Sequence, residues 1–287
     1  MRSLEHMHPP PAPMRRPRLL VLTAVTLLVL GMGACAGPGA ATHHIGTAVV
    51  QVPLQWNNAY LLLGQDGATR RAVLVDPGSP GDSDFERMSD ALASNDLDWQ
   101  DLTLIVITHG HADHAGGAAR AADVSGAPVL AGAADLERLR AGDGGDLPPM
   151  GVEARLIRPF VPRRFSPVEP DRVLSDSPGQ SSLDLRPYGV AGTALLAPGH
   201  TAGSLVVVLE GGRRREAVVG DLFRGGVMGG RVRSHTPHRH YFHDDPERAE
   251  AAARTLLDRG VSRFYLGHGG PVTADAARAR FALDPDF

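Results

Sequence analysis

Short apolar runs recur along the chain from residue 47 onward, separated by clusters of Gly, Pro and Asp. Residues 47–52, 58–63, 72–75, 102–107, 182–186, 193–196, 204–209, 217–219 and 261–266 read as strands. Gln65-Asp66-Gly67-Ala68 places a turn between the second and third runs. Other stretches carry the helical period. Ser83-Asp84-Phe85-Glu86 matches a capping box, after which Phe85, Met88 and Leu92 fall on one face. Gly116-Gly117 permits close packing ahead of a small-residue helix over 118–124. Asp245-Pro246-Glu247 opens another helix, with Pro at or near its first position and acids in the first turn, and Thr273 caps a last one. Residues 141–182, punctuated by Gly142, Gly145, Pro149, Pro162 and Pro170, read as short strands and loops. Strands alternating with helices predict a layered α/β architecture.

The polar residues that interrupt this pattern share a position. Asp76, His109, His200, Asp221 and His268 each come just after an apolar strand. Strand-end loops converge at one edge of a sheet, so five separated segments can build one pocket. The densest of them is His109-Gly110-His111-Ala112-Asp113-His114. Imidazole with carboxylate is a ligand set for Zn, Fe or Mn that needs no thiolate. His109 and His111 alternate and can face the same way as the strand runs out, while Asp113 and His114 begin the next turn. Two pairs of ligands suggest two metals, and chance clustering of this kind is rare.

Composition narrows the classes. The 287 residues suit one large domain or two small ones, and 43% apolar content suffices for a packed core. A net charge of −3, from 29 basic and 32 acidic residues, offers no bulk field for nucleic acid. Every basic residue is Arg, which excludes a catalytic lysine. Cys35 is the one cysteine, so no disulfide forms within a chain and no thiolate serves the metal site. Arg2, Arg15, Arg16 and Arg18, the apolar run 19–30 and the small residues 31–37 together read as an export signal. That run is short of the ~20 residues a membrane helix needs. Met32-Gly33-Ala34-Cys35 resembles a bacterial lipobox, with Met where Leu is usual, and Ala34-Cys35-Ala36 also fits an ordinary signal-peptidase site. The lipoprotein reading is favoured. The expected organisation is an export signal over 1–36, a tether over 37–44 with His43 and His44 solvated, and one catalytic domain over 45–287. The protein is then exported. It is anchored to the membrane if Cys35 is lipidated, and periplasmic or extracellular otherwise.

His109-x-His111-x-Asp113-His114, Pro198-Gly199-His200-Thr201-x-Gly203-Ser204, Gly220-Asp221 and Gly267-His268-Gly269 together resemble the metallo-β-lactamase-fold superfamily. Asn58-Ala59-Tyr60-Leu61 and Val75-Asp76-Pro77-Gly78 are similar to its early strands, and the likeness covers roughly 45–275. The resemblance implies a four-layer αβ/βα sandwich with a dinuclear site, two Zn2+ with Fe or Mn as other choices. By motif position His109, His111 and His200 would hold the first metal, Asp113, His114 and His268 the second, and Asp221 would bridge them. Asp76 resembles a carboxylate that orients the ligand loops; a strand-end Asp in a turn is the bland alternative. The reaction implied is hydrolysis of an ester, thioester or lactone by a metal-bridging hydroxide, with Asp113 orienting the nucleophile and passing a proton to the leaving group. Asp221 stands where several true zinc β-lactamases have Cys or Ser, which argues against an antibiotic target. The helical C-terminal domain of glyoxalase II is expected to be absent. A mononuclear iron dioxygenase acting on persulfides is the alternative, and a non-catalytic metal-binding lipoprotein is a third reading. The partner expected is a small-molecule substrate, with no nucleic acid; the oligomeric state is left open.

Four histidines remain, His235, His238, His240 and His243. They could line the mouth of the pocket, or be the solvated and capping residues of a polar loop, and their spacing fits no metal template. Arg224, Arg231, Arg233 and Arg239 lie in the same excursion, and Arg224 and Arg239 are the candidates for binding an anionic substrate group.

Overall fold

Single strands divide their side chains between two cores. In the computed structural model, which describes residues 42–43, 47–64, 71–210 and 214–283, Leu61 and Leu74 face one core while Tyr60, Leu62, Val73 and Val75 face another. The export signal, Cys35, most of the tether and the turn at 65–68 lie outside the described residues. The first sheet runs β1 (Thr42–His43), β2 (Thr47–Pro53), β3 (Asn58–Gly64), β4 (Ala72–Val75), β5 (Leu102–Val106), β6 (Val129–Gly132) and β7 (Arg172–Leu174), in that spatial order. The early pairs are antiparallel, and β4 to β7 are parallel. Its helices are α1 (Asp82–Ser94), α2 (Ala112–Ala115), α3 (Ala118–Ser125) and α4 (Leu136–Ala141), followed by α5 (Val152–Ile157) in the connection to the second half.

The second sheet has the order β15-β14-β11-β10-β9-β8, from β8 (Ser182–Asp184), β9 (Gly192–Leu196), β10 (Leu205–Leu209), β11 (Arg215–Val218), β14 (Val261–Tyr265) and β15 (Val272–Thr273). A separate ribbon pairs β12 (Arg224–Val227) with β13 (Val232–His238). Helices α6 (Pro246–Asp258) and α7 (Ala274–Leu283) follow.

Three apolar clusters show how these parts stack. Met88, Leu92, Ala115 and Leu139 from helices pack on Leu61, Leu74 and Ile105 of the first sheet. Leu104 and Val106 meet Leu205, Val207 and Val218 between the sheets. Val206, Ala217 and Phe264 pack under Ala253, Leu256 and Phe281 of the last helices. Helix, sheet, sheet, helix is the four-layer sandwich expected, and all described residues belong to one unit.

Two local expectations are corrected. Ser83 does not cap α1; the helix starts two residues earlier than that cap would place it, Gly81 is its N-cap, and no side chain caps it. Asp84 is buried and turns back instead, accepting from Gln55 N and Ser79 N at 2.9 Å each. The carboxylate is worth more there, where two loop amides, one of them buried at Ser79, would otherwise lack partners. The stretch 141–182 also contains α5, which the Gly and Pro punctuation concealed.

Candidate metal centre

The strand ends deliver the groups, four of them after β5 alone. Asp76 follows β4 with φ of 57°, a left-handed backbone that Asp adopts more readily than most residues. This turn lets its amide donate to Val106 O at 2.9 Å while its carboxylate faces the end of β5. There it accepts from Thr108 N at 2.8 Å and Thr108 Oγ1 at 2.7 Å, and it meets His114 Nδ1 at 2.8 Å. With its hydroxyl proton directed at Asp76, Thr108 Oγ1 can only accept from His109 Nδ1 at 3.0 Å. Both His109 and His114 therefore turn Nε2 toward the centre. On the opposite side His268 Nδ1 donates to Trp56 O at 2.8 Å, which presents its Nε2 as well.

Asp135 performs the same service from the end of β6. Its Oδ2 accepts from Gly110 N at 2.8 Å and Thr201 Oγ1 at 2.7 Å, tying the first histidine loop to the His200 loop. Arg138 Nη1 lies 3.2 Å from His111 Nε2 while Nη2 donates to Asp244 at 3.0 Å. Neither residue was found from the sequence. The available signal is 129–132, a short apolar run with an acid three residues after its end.

The seven candidate ligands converge. His200 Nε2 lies 3.1 Å from His109 Nε2 and 3.0 Å from His111 Nδ1. Asp113 Oδ2 is 3.4 Å from His268 Nε2 and 3.7 Å from His114 Nε2. Asp221 Oδ2 sits between the two groups, 3.5 Å from His200, 3.8 Å from His109, 3.4 Å from His114 and 3.3 Å from His268. A tetrahedral zinc with ligands at ~2.0–2.1 Å has neighbouring ligand atoms about 3.3 Å apart. These separations are the edges of such a polyhedron, so the residues fit divalent ions. Buried His114 Nε2 and Asp221 Oδ1 have no hydrogen-bond partner, as expected of groups shaped for another occupant. The backbone is shaped to match: a Cβ on Gly267 would lie 2.1 Å from Asp221 Oδ1 and 2.6 Å from His114 Cε1.

Burial, aided by neighbouring imidazoles, pushes the pKa of His109 and His200 well below the ordinary value, and burial lowers His111 to about 4. These three are neutral with lone pairs available. His268 behaves oppositely. Burial disfavours its charge, but Asp221 and Asp113 outweigh that and raise it to about 10. His114 is likewise raised despite burial, by Asp221, Asp113 and Asp76. Burial opposes charge on Asp113 and Asp221 too, yet the surrounding histidines hold both carboxylates below their usual range.

The His-rich loop divides. His235 is exposed and meets Pro271 O at 2.8 Å, and His238 is half-buried. His240 and His243 are buried beside His200, with ring centroids 4.7 and 5.3 Å away, which corrects the solvated reading for these two. The cause is in the loop itself. Tyr241 and Phe242 enter a small core with Leu147 and Ala154 and carry the flanking histidines inward. Arg224 is buried with its guanidinium 3.9 Å from the centroid of the Tyr241 ring and its Nη1 donating to Gly226 O. Arg239 is half-buried, and its Nε has no hydrogen-bond partner.

Residues 57–268, which carry every candidate ligand, match the family model of the metallo-beta-lactamase superfamily. A hydroxyacylglutathione hydrolase of Pseudomonas paraeruginosa is 40% identical over 75 residues, 26% of each chain, so the alignment spans about a quarter of that relative's length. A "Probable metallo-hydrolase" of Methanocaldococcus jannaschii is 24% identical over 214 residues, 74% of this chain and 87% of the relative. Among solved structures, the Rm3 metallo-beta-lactamase superposes with a TM-score of 0.59 at 19% identity, covering 89% of this chain and 95% of that one, a likeness of fold. The chain belongs to the metallo-beta-lactamase superfamily, the fold of metallo-hydrolases.

Proposed function

We propose that this protein is a dinuclear zinc hydrolase that cleaves an ester, thioester or lactone. The observation that carries the reading is the position of Asp221 Oδ2, 3.3–3.8 Å from ligand nitrogens of both histidine groups. His109, His111 and His200 would hold one ion, Asp113, His114 and His268 the other, and Asp221 would belong to both. Two ions there would bring the pKa of bound water toward neutrality and polarise a substrate carbonyl.

The residues supply the rest. Asp113, at the start of α2, is the more accessible of the two carboxylates, with its side chain 13% exposed against 2% for Asp221. It can orient a water and carry a proton to the leaving oxygen or sulfur. Asp76 and Asp135 fix the loops so that little reorganisation is needed when charge develops. Binding through His111 Nδ1 requires the proton on His111 Nε2, so Arg138 then retains its bond to Asp244 alone. The partly buried Arg239, with Arg224 behind Tyr241, is the candidate contact for an anionic group on the substrate. The name of the hydroxyacylglutathione hydrolases supports an acyl-transfer substrate for the shared segment.

The test is a panel of thioesters, lactones and aryl esters assayed before and after chelation. Hydrolysis of at least one class, lost with the metal and restored by Zn2+, is expected. A protein that holds one Fe per chain and consumes oxygen with a persulfide would replace this reading with the dioxygenase.

A further inference from the structure

The loop that carries His240 holds a group the seven-ligand set leaves unused. His240 is 5% exposed, and its Nε2 lies 3.2 Å from Asp221 Oδ2, among the shortest separations that oxygen makes with any imidazole. His200, Asp221 and His240 place their ligand atoms within 4.8 Å of one another. The His240 ring is also 5.2 Å from that of His268, so the side chain looks onto both halves of the centre.

The close approach to Asp221 is not a hydrogen bond. His240 Nε2 is buried without any hydrogen-bond partner despite the 3.2 Å separation. Its other nitrogen, Nδ1, is reached by Phe242 N, which can donate to it at 3.3 Å, and lies 3.2 Å from Phe242 O, to which it can donate. If Nδ1 accepted from Phe242 N, the proton would sit on Nε2 and point at a carboxylate with which it makes no bond. If Nδ1 donates to Phe242 O, Nε2 carries a lone pair directed at the centre. The second arrangement exchanges the bond from Phe242 N for one to Phe242 O and leaves a free lone pair, the pattern by which ligating histidines are held.

We infer that His240 Nε2 is an additional protein ligand of the centre, on the ion that His200 and Asp221 hold. The inference rests on the dinuclear reading above. It adds a consequence that the seven-ligand set lacks: with His109, His111, His200 and Asp221 already on that ion, His240 would take the fifth position otherwise open to water or substrate, so substrate must displace His240 or engage the other ion. His243 does not share this role; its ring is beside His200, but among the described residues it joins no group of converging ligand atoms with Asp221.

The test uses the full protein loaded with Co2+. Strongly shifted, exchangeable imidazole N–H signals in the proton spectrum count ligating histidines. His109, His111, His114, His200 and His268 give five, and His240 makes six. Six in the wild type, with one missing in His240→Phe, is the expected result. His240→Phe should also release one ion more readily to a chelator by at least about tenfold, since even residues that only orient a ligand cost roughly 10–100-fold when lost. Five signals from a protein that binds two ions overturn the inference and leave the dinuclear reading intact. A wild type that fails to bind two ions overturns that reading and this inference with it. If His240→Phe does not fold, the wild-type spectrum alone decides.

Discussion

A carboxylate that touches no candidate ion position governs several that do. Asp76 accepts from Thr108 at two atoms and fixes His114 through Nδ1, while Thr108 in turn fixes His109. Asp76→Ala removes these partners at a left-handed backbone position, and metal affinity is expected to fall by roughly 10–100-fold. Asp76→Asn keeps the backbone preference and an acceptor for Thr108, so its loss should be smaller; equal affinity in all three proteins by chelator competition would refute the role. The same residues set a pH dependence. In the metal-free protein His268 stays protonated up to about pH 10, and His114 is raised well above its ordinary value. Both must be neutral to bind an ion, so loading near pH 7.5 should release at least about one proton, that of His268. Calorimetry in buffers of different ionisation enthalpy measures that number. Conversely, the stability that protonated His268 lends the metal-free fold is complete below pH 6.5 and is lost as pH rises toward 10.

At the scale of elements, strands were legible where apolar runs ended in a polar group. The run at 102–107 and the cluster after it reveal β5, the turn and the ligands together, because burial and chemistry meet at one strand end. The run at 129–132 is short and contains Ala and Gly, so its sequence does not mark a strand, nor with it Asp135 and Arg138. His240 was illegible for a different reason. Its burial depends on Tyr241 and Phe242 finding Leu147 and Ala154, a contact across nearly a hundred residues that no local period records. Ser83 shows the reverse error: a correct local motif lost to Asp84, whose tertiary partners outweigh a cap. Gly267 tests the element view directly. A methyl group there meets Asp221 and His114 rather than open space. Gly267→Ala should therefore lower metal affinity by more than about tenfold while the metal-free melting temperature shifts little, since the apolar cores are untouched. A large loss of metal-free stability with intact affinity would contradict it.

For the whole molecule, two helix layers enclose two sheets, and the described ligands gather where the loops of both sheets meet. Neither sheet alone carries the set: five of the seven groups follow β5 or β9, and Asp221 and His268 follow β11 and β14. Folding and metal binding are thereby coupled, because ligands from both halves come together only in the sandwich. The N-terminal sequence places this domain outside the cytoplasm in our proposal. Labelling with a radioactive fatty acid should mark the full chain and not Cys35→Ser; an unlabelled wild type would favour cleavage that discards the cysteine. The central claim, however, is the pair of ions that share Asp221. The direct measurement is elemental analysis of the purified full chain, wild type and Asp221→Ala, after dialysis against metal-free buffer. Two zinc ions per wild-type chain, with at least one lost in the variant, is the predicted result. One ion per chain, unchanged when Asp221 is removed, would contradict the account.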